Sequence, residues 1–232
     1  MGDVYVLGAG FSRAVSERMP LMNELADCIA PELRLPSYAP TYGGDFEAWL
    51  TALAADLPWL TEAEQLVLRG TFLEASTLLG SLIDDRESEA RSADLPDWFA
   101  RLICHWHASR ATVVTLNYDC LVEAAYTDAV TVSSGGPENY AAWRQLYPLE
   151  ITPAASRGGA VLGASRAATF VLLKLHGSRS WYSAGRALSH GQLLLSLDDA
   201  AGWARVVRDS YRYVGDRVPL VVPPTYAFSP GR

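Results

Sequence analysis

The sequence predicts an α/β protein, a parallel sheet whose chain is interrupted by a large helical insertion. Three observations carry that prediction. Three short, apolar, β-branched runs, at 4–7, 111–116 and 169–175, each end in a polar or glycine-containing turn. Between the first two, apolar residues recur at helical rather than alternating spacing. Fully apolar strands separated by helices are the pattern of a parallel sheet covered on both faces.

In chain order, Val4-Tyr5-Val6-Leu7 reads as a buried strand that runs into Gly8-Ala9-Gly10. Residues 12–30 read as helix, with a boundary at Pro20 and a buried stripe of Leu21, Leu25 and Ile29. Phe46, Trp49, Leu50 and Leu53 share one face of a further helix. Thr61 and Glu64 form a capping-box pattern ahead of a longer helix, weakened at Gly70 and Gly80, with the charged stretch 84–94 read as its solvated end or a loop. Trp98, Phe99, Leu102, Ile103 and Trp106 mark another helix. After the strand at 111–116, residues 120–126 read as helix, 133–166 as loop with a short helix at 140–146, 169–175 as strand, 192–197 as a weaker strand, 201–213 as helix and 218–222 as a last strand. The domain reading is therefore a core of residues 1–20 and 108–232 around a helical insertion at 21–107.

Composition narrows the function. The 232 residues are 50% hydrophobic and 19% charged, an ordinary globular balance. A net charge of −7 without a basic block excludes nucleic acid as the main ligand. Cys28, Cys104 and Cys120 are scattered, with neither zinc-ribbon nor disulfide-framework spacing, so no metal is expected. No stretch reads as long enough to span a membrane, and Asp3 stands where a signal peptide wants basic residues, so the expectation is a soluble, cytoplasmic protein. Eighteen arginines accompany a single lysine, Lys174, which reads as a compositional bias.

The three strand ends carry the chemistry, because ligands of such sheets bind outside the carboxyl ends of the strands. Gly8, Ala9 and Gly10 follow a strand and open a helix, where backbone can approach a phosphate, and Ser12 and Arg13 add a hydroxyl and a charge. Arg13 occupies the third glycine position of a dinucleotide fingerprint, so the match is incomplete. Asn117 and Asp119 end the second strand, where they serve either a ligand's hydroxyls or amide, or an Asx turn and helix cap. His176 ends the third, before Gly177, and suits general-base work. His105 and His107, two residues apart on a helix, point to different faces.

Taken in order, Val-Leu-Gly-Ala-Gly-Phe-Ser at 6–12, Thr-Leu-Asn-Tyr-Asp at 115–119, Leu-His-Gly-Ser at 175–178 and Leu-Val-Val-Pro-Pro-Thr at 220–225 resemble the SIR2-like family, which includes the sirtuins and the NAD⁺-hydrolysing domains of bacterial antiphage defence. The resemblance implies a Rossmann-like fold and an NADase, with NAD⁺ bound by Gly8, Ala9, Gly10, Phe11, Ser12 and Asp119, and with Asn117 and His176 as catalytic residues. It favours the defence-type branch, since the sirtuins' four-cysteine zinc module is absent and Leu116 stands where they carry Gln. It also implies a further helix and strand after Thr225, so the C-terminal part of the fold is expected to be missing, with a homo-oligomer or a second protein completing it. The competing readings are a non-catalytic module that binds NAD or ADP-ribose and acts through a partner, a protein deacylase, and a reductase or methyltransferase using the glycine loop.

Overall fold

A computed structural model of the chain describes residues 2–33, 45–131, 145–148, 152–153, 169–184, 193–195 and 217–221. The helix expected over 201–213 and most of the stretch 133–166 lie outside these residues. The described elements are β1 (Val4–Leu7), α1 (Ala9–Val15), α2 (Met22–Ile29), α3 (Phe46–Ala54), α4 (Glu62–Arg91), α5 (Asp97–Ser109), β2 (Thr112–Thr115) and α6 (Leu121–Tyr126) with a π-helical turn at Thr127–Thr131. They continue with β3 (Thr152–Pro153), β4 (Val171–Lys174), β5 (Gly177–Ala184), β6 (Leu193–Leu195) and β7 (Arg217–Val221). The protein is of mixed α/β class.

β1, β2 and β4 form a parallel sheet in the order β1-β2-β4, pairing Leu7 with Thr115 and Thr115 with Lys174 at their carboxyl ends. The register is set by which side chains face the core. Leu7, Val113 and Leu172 turn toward Phe99, Ile103 and Trp106 of α5 and Leu121 and Tyr126 of α6, and join them in one apolar cluster. On the opposite face, Val4 and Val6 are 64% and 70% exposed. The expectation of a buried first strand and a sheet covered on both faces therefore fails among the described residues. Among the described strands β1 is at the edge of its sheet, buried on one side only, where an apolar strand exposes both backbone and side chains.

A second, four-stranded sheet in the order β3-β6-β5-β7 was not expected. β5 runs antiparallel to β6 and to β7, with a register irregularity between Gly177 and Tyr182. The sequence hides β5 because it reads Gly-Ser-Arg-Ser-Trp at its start, with polar residues at successive positions. Those residues are buried against partners described below. The last strand is present, at Arg217–Val221, but belongs to this second sheet.

The helical part is more regular than its sequence. α4 runs unbroken for 30 residues, about 45 Å at 1.5 Å per residue, through Gly70 and Gly80. Its start is fixed by the expected capping box: Thr61 N–H donates to Glu64 Oε2 at 2.8 Å, and Glu64 N–H donates to Thr61 Oγ1. Asp45 caps α3 in the same way, accepting from Ala48 N–H at 2.9 Å. α2, α3 and α4 pack on one another and bury Leu25, Ile29, Phe46, Trp49, Leu50, Leu79 and Ile83 as a second cluster. By length and composition α4 is apolar enough to cross a membrane, contrary to the expectation from sequence, but core helices pass the same test. Of the two readings of 84–94, the helix end holds: α4 runs on to Arg91, though Glu87 within it is wholly buried rather than solvated.

Candidate functional site

The parallel sheet positions the site through the ends of its strands. Leu116 N–H donates to Leu7 O and Leu175 N–H to Thr115 O, both at 3.0 Å, which carries the pairing one residue past each strand. The three turns then leave the sheet together. They open on a cleft of about 220 Å³ lined by Gly8, Ala9, Ser12, Asn117, Asp119 and His176 on the sheet side. Met22, Leu25, Glu47 and Ile83 line it from the helical side.

Hydrogen bonds weld the first two turns into one unit. Asn117 Nδ2 donates to Gly8 O at 2.9 Å and to Ser12 Oγ at 2.8 Å. Ser12 Oγ donates to Asp119 Oδ2 at 2.6 Å. A backbone carbonyl only accepts, so the amide orientation is fixed by Gly8: both N–H groups of Asn117 are engaged, and its carbonyl oxygen accepts from no described group. Asp119 Oδ1 accepts Leu121 N–H at 3.2 Å, the Asx turn considered from sequence. Both oxygens of Asp119 thus hold protein groups. Burial, with some repulsion from Glu87, pushes the Asp119 carboxyl above its ordinary range, against the pull of Lys174 and the Ser12 hydrogen bond.

His176 is half-buried at the cleft, beside the Tyr118 ring at a centroid distance of 6.4 Å. Gly177 follows with φ of 79°, a conformation that an L side chain rarely adopts, so glycine is needed for the chain to turn from β4 into β5. Tyr118, between the two polar residues of its turn, points into the helical cluster and anchors the Asn-Tyr-Asp segment there. Burial raises its phenol well above the ordinary value, and Glu47 adds to that.

Beneath the cleft lies a buried ionic layer that the sequence reading missed. The Lys174 ammonium donates to Asp119 O and to Glu123 Oε1, the latter at 3.0 Å, and Tyr147 donates to the same Glu123 oxygen at 2.6 Å. Both charged side chains are essentially inaccessible. Burial alone would lower the Lys174 pKa; Glu123, Cys120 and Asp119 override it and raise it. Three residues past His176, Arg179 donates from Nε and Nη2 to the two oxygens of Glu87, at 2.5 and 2.8 Å, and from Nη1 to Asp84. Glu87 also accepts Cys120 N–H at 2.8 Å. Burial would raise Glu87, but the Arg179 guanidinium holds its carboxyl below the ordinary range. A signal for Glu87 existed: it continues the stripe Leu79, Ile83, Glu87, Ala90, so a charge there has to find a partner.

The expected site residues divide. Gly8, Ala9, Ser12, Asn117, Asp119 and His176 share the cleft; Gly10 and Phe11 do not line it. Phe11 packs against Trp98, Phe99 and Trp106, because the first turn of α1 carries its ring to the α5 side. Arg13 is also elsewhere than expected, paired with Glu24 of α2 and donating to Glu17 O. His105 and His107 bond Tyr5 and Thr169 respectively. Among the described residues no group of His, Cys, Asp and Glu side chains is arranged to hold a metal ion. Glu47 is the cleft residue the sequence gave no means to find, since a charge in the first turn of a capped helix ordinarily serves the helix dipole. No family model, curated protein or solved structure matches the chain.

Proposed function

We propose that the chain is a SIR2-like NAD⁺ hydrolase, an NADase of the kind that serves antiphage defence, built on a Rossmann-like core. The observation that carries this reading is the convergence of Gly8, Ser12, Asn117, Asp119 and His176, from three strand ends, on one cleft. The cleft is smaller than the roughly 300–1,000 Å³ usual for ligand pockets, and suits the nicotinamide-ribose half of the dinucleotide better than the whole. At Gly8, the N-cap of α1, φ is an ordinary −120° and an added Cβ would meet nothing within 4 Å, so the backbone there is open to a ligand.

The bond broken joins ribose C1′ to the nicotinamide nitrogen. Nicotinamide leaves neutral, taking the electron pair, through an oxocarbenium-like state. Water adds its oxygen to C1′, and His176 accepts the proton that water loses before passing it to solvent. Asn117, its amide N–H groups engaged, offers its carbonyl oxygen to that water or to a ribose hydroxyl. Asp119 holds Ser12 and, through it, Asn117.

The test is incubation of the purified protein with NAD⁺ and detection of free nicotinamide. Release without an acyl-peptide supports hydrolysis. Binding without release selects the non-catalytic NAD or ADP-ribose module, and neither binding nor release overturns both. His176→Ala is expected to lower hydrolysis by about 10²- to 10⁴-fold with little change in stability; an unchanged rate rules out its role.

A further inference from the structure

The helical insertion does more than close the cleft. Glu47, on the first turn of α3, lines it opposite the strand ends. Its carboxylate has no hydrogen-bond or ion-pair partner among the described residues. Each carboxylate buried nearby is held: Asp119 by Ser12 and Leu121 N–H, Glu87 by Arg179, Glu123 by Lys174 and Tyr147. Partial burial, with Asp45 beside it, pushes Glu47 above its ordinary carboxyl range. The rest of the cleft makes its charge conspicuous. Met19, Pro20, Met22, Leu25, Ile83 and Leu116 give it apolar walls, and among the described residues neither Arg nor Lys lines it. Described lining with a free carboxylate and no Arg or Lys disfavours a phosphate and attracts a positive group, more strongly where apolar walls lower the local dielectric.

We propose that Glu47 reads the positive charge of a ribosyl-pyridinium ligand, so that the cleft takes the nicotinamide end of the dinucleotide, with the phosphates outside, and prefers the oxidised to the reduced form. This rests on the NAD⁺ reading above and adds to it the residue that distinguishes the two redox states. NADH has the same size and nearly the same shape as NAD⁺ but a neutral nicotinamide ring, so the discrimination falls on charge. Because the pyridinium is charged before the bond breaks, Glu47 acts chiefly on binding and KM, while His176 acts on kcat.

The experiment is calorimetric titration of the full chain with NAD⁺ and with NADH, for the wild type, Glu47→Gln and Glu47→Asp. The wild type is expected to bind NAD⁺ about fivefold more tightly than NADH, the scale of one partly exposed charge pair. Glu47→Gln should bring the two ligands to parity by weakening NAD⁺ alone, Glu47→Asp should keep part of the preference, and raised salt should shrink it in the wild type. A Glu47→Gln protein that keeps the preference, or loses both ligands equally, overturns the proposal; should that variant fail to fold, a salt-independent wild-type preference does the same. A wild type that binds NAD⁺ with no preference over NADH overturns this inference alone. A wild type that binds neither ligand overturns the NAD⁺ reading as well.

Discussion

The two walls of the cleft are built on different principles. On the sheet side, Asn117, Ser12 and Asp119 are locked in a directed chain of hydrogen bonds, and Lys174 supports Asp119 from below. On the helical side, Met22, Leu25 and Ile83 offer apolar surface, and the carboxylate of Glu47 is held by no described group. The rigid wall has its polar atoms already paired, so what it presents to a ligand is geometry: one amide oxygen and one imidazole in fixed places. The helical wall presents charge and apolar contact. Arg179 joins the two, because it follows His176 on the sheet side and grips Glu87 and Asp84 of α4.

Breaking that joint should have the largest effect. Arg179→Met leaves the wholly buried Glu87 facing, among the described residues, Arg91 at 3.8 Å and Cys120 N–H, and is expected to cost about 3–5 kcal/mol in denaturant unfolding. A loss below about 1 kcal/mol would mean that the walls stand independently. The pH dependence sharpens this. Glu87 is held below its ordinary value of 4.5, so the unfolded chain takes up its proton first; the stability it contributes is complete above that value and is lost as pH falls through the folded one. In Arg179→Met burial acts against the charged form with less opposition, and the sign reverses, so the variant should gain stability on acidification from neutral pH. Asp119, whose carboxyl is raised in the fold, contributes with that same reversed sign in both proteins.

Ser12→Ala tests the rigidity of the sheet wall. It removes the acceptor of one Asn117 N–H and the donor to Asp119, and should cost about 1–3 kcal/mol as well as lower hydrolysis, because Asn117 loses half of its anchoring. A protein destabilised by that amount with its hydrolysis intact would show that Asn117 needs no such anchor.

Gly8→Ala is the mildest change to the protein and the most selective. The backbone accepts alanine there, so the melting temperature should hold, while NAD⁺ binding weakens by about tenfold as the methyl group occupies space kept for the ligand. Unchanged binding would place the ligand away from the first turn.

How much of this was legible in the sequence depended on contiguity. The strands at 4–7, 112–115 and 171–174, the helices around them and the capping box at Thr61 came from local pattern and are present. The sheet wall was legible because each of its polar groups immediately follows such a strand, and parallel pairing then brings the three turns together. The helical wall was not. Glu47 reads like any solvated first-turn acid, and the packing of α3 on α2 and α4 is what turns it toward the cleft. β5 was hidden because Ser178, Arg179 and Ser180 are polar yet buried, their cost offset by Glu87, Asp84 and each other. Gly10 and Phe11 belong to the glycine-loop motif by sequence but face away from the cleft, since a helix begun at Ala9 turns by about 100° per residue.

By itself the sequence determined the α/β class, the parallel strands and the trio of Asn117, Asp119 and His176 at their ends, because period and strand-end position are local properties of the chain. Only the tertiary structure decided which of their atoms remain for a ligand, that Glu87 and Lys174 are buried in ion pairs, and that Glu47 faces the same cleft. Those depend on residues as much as 109 positions apart meeting, and pairing across such distances is settled by packing and charge in three dimensions.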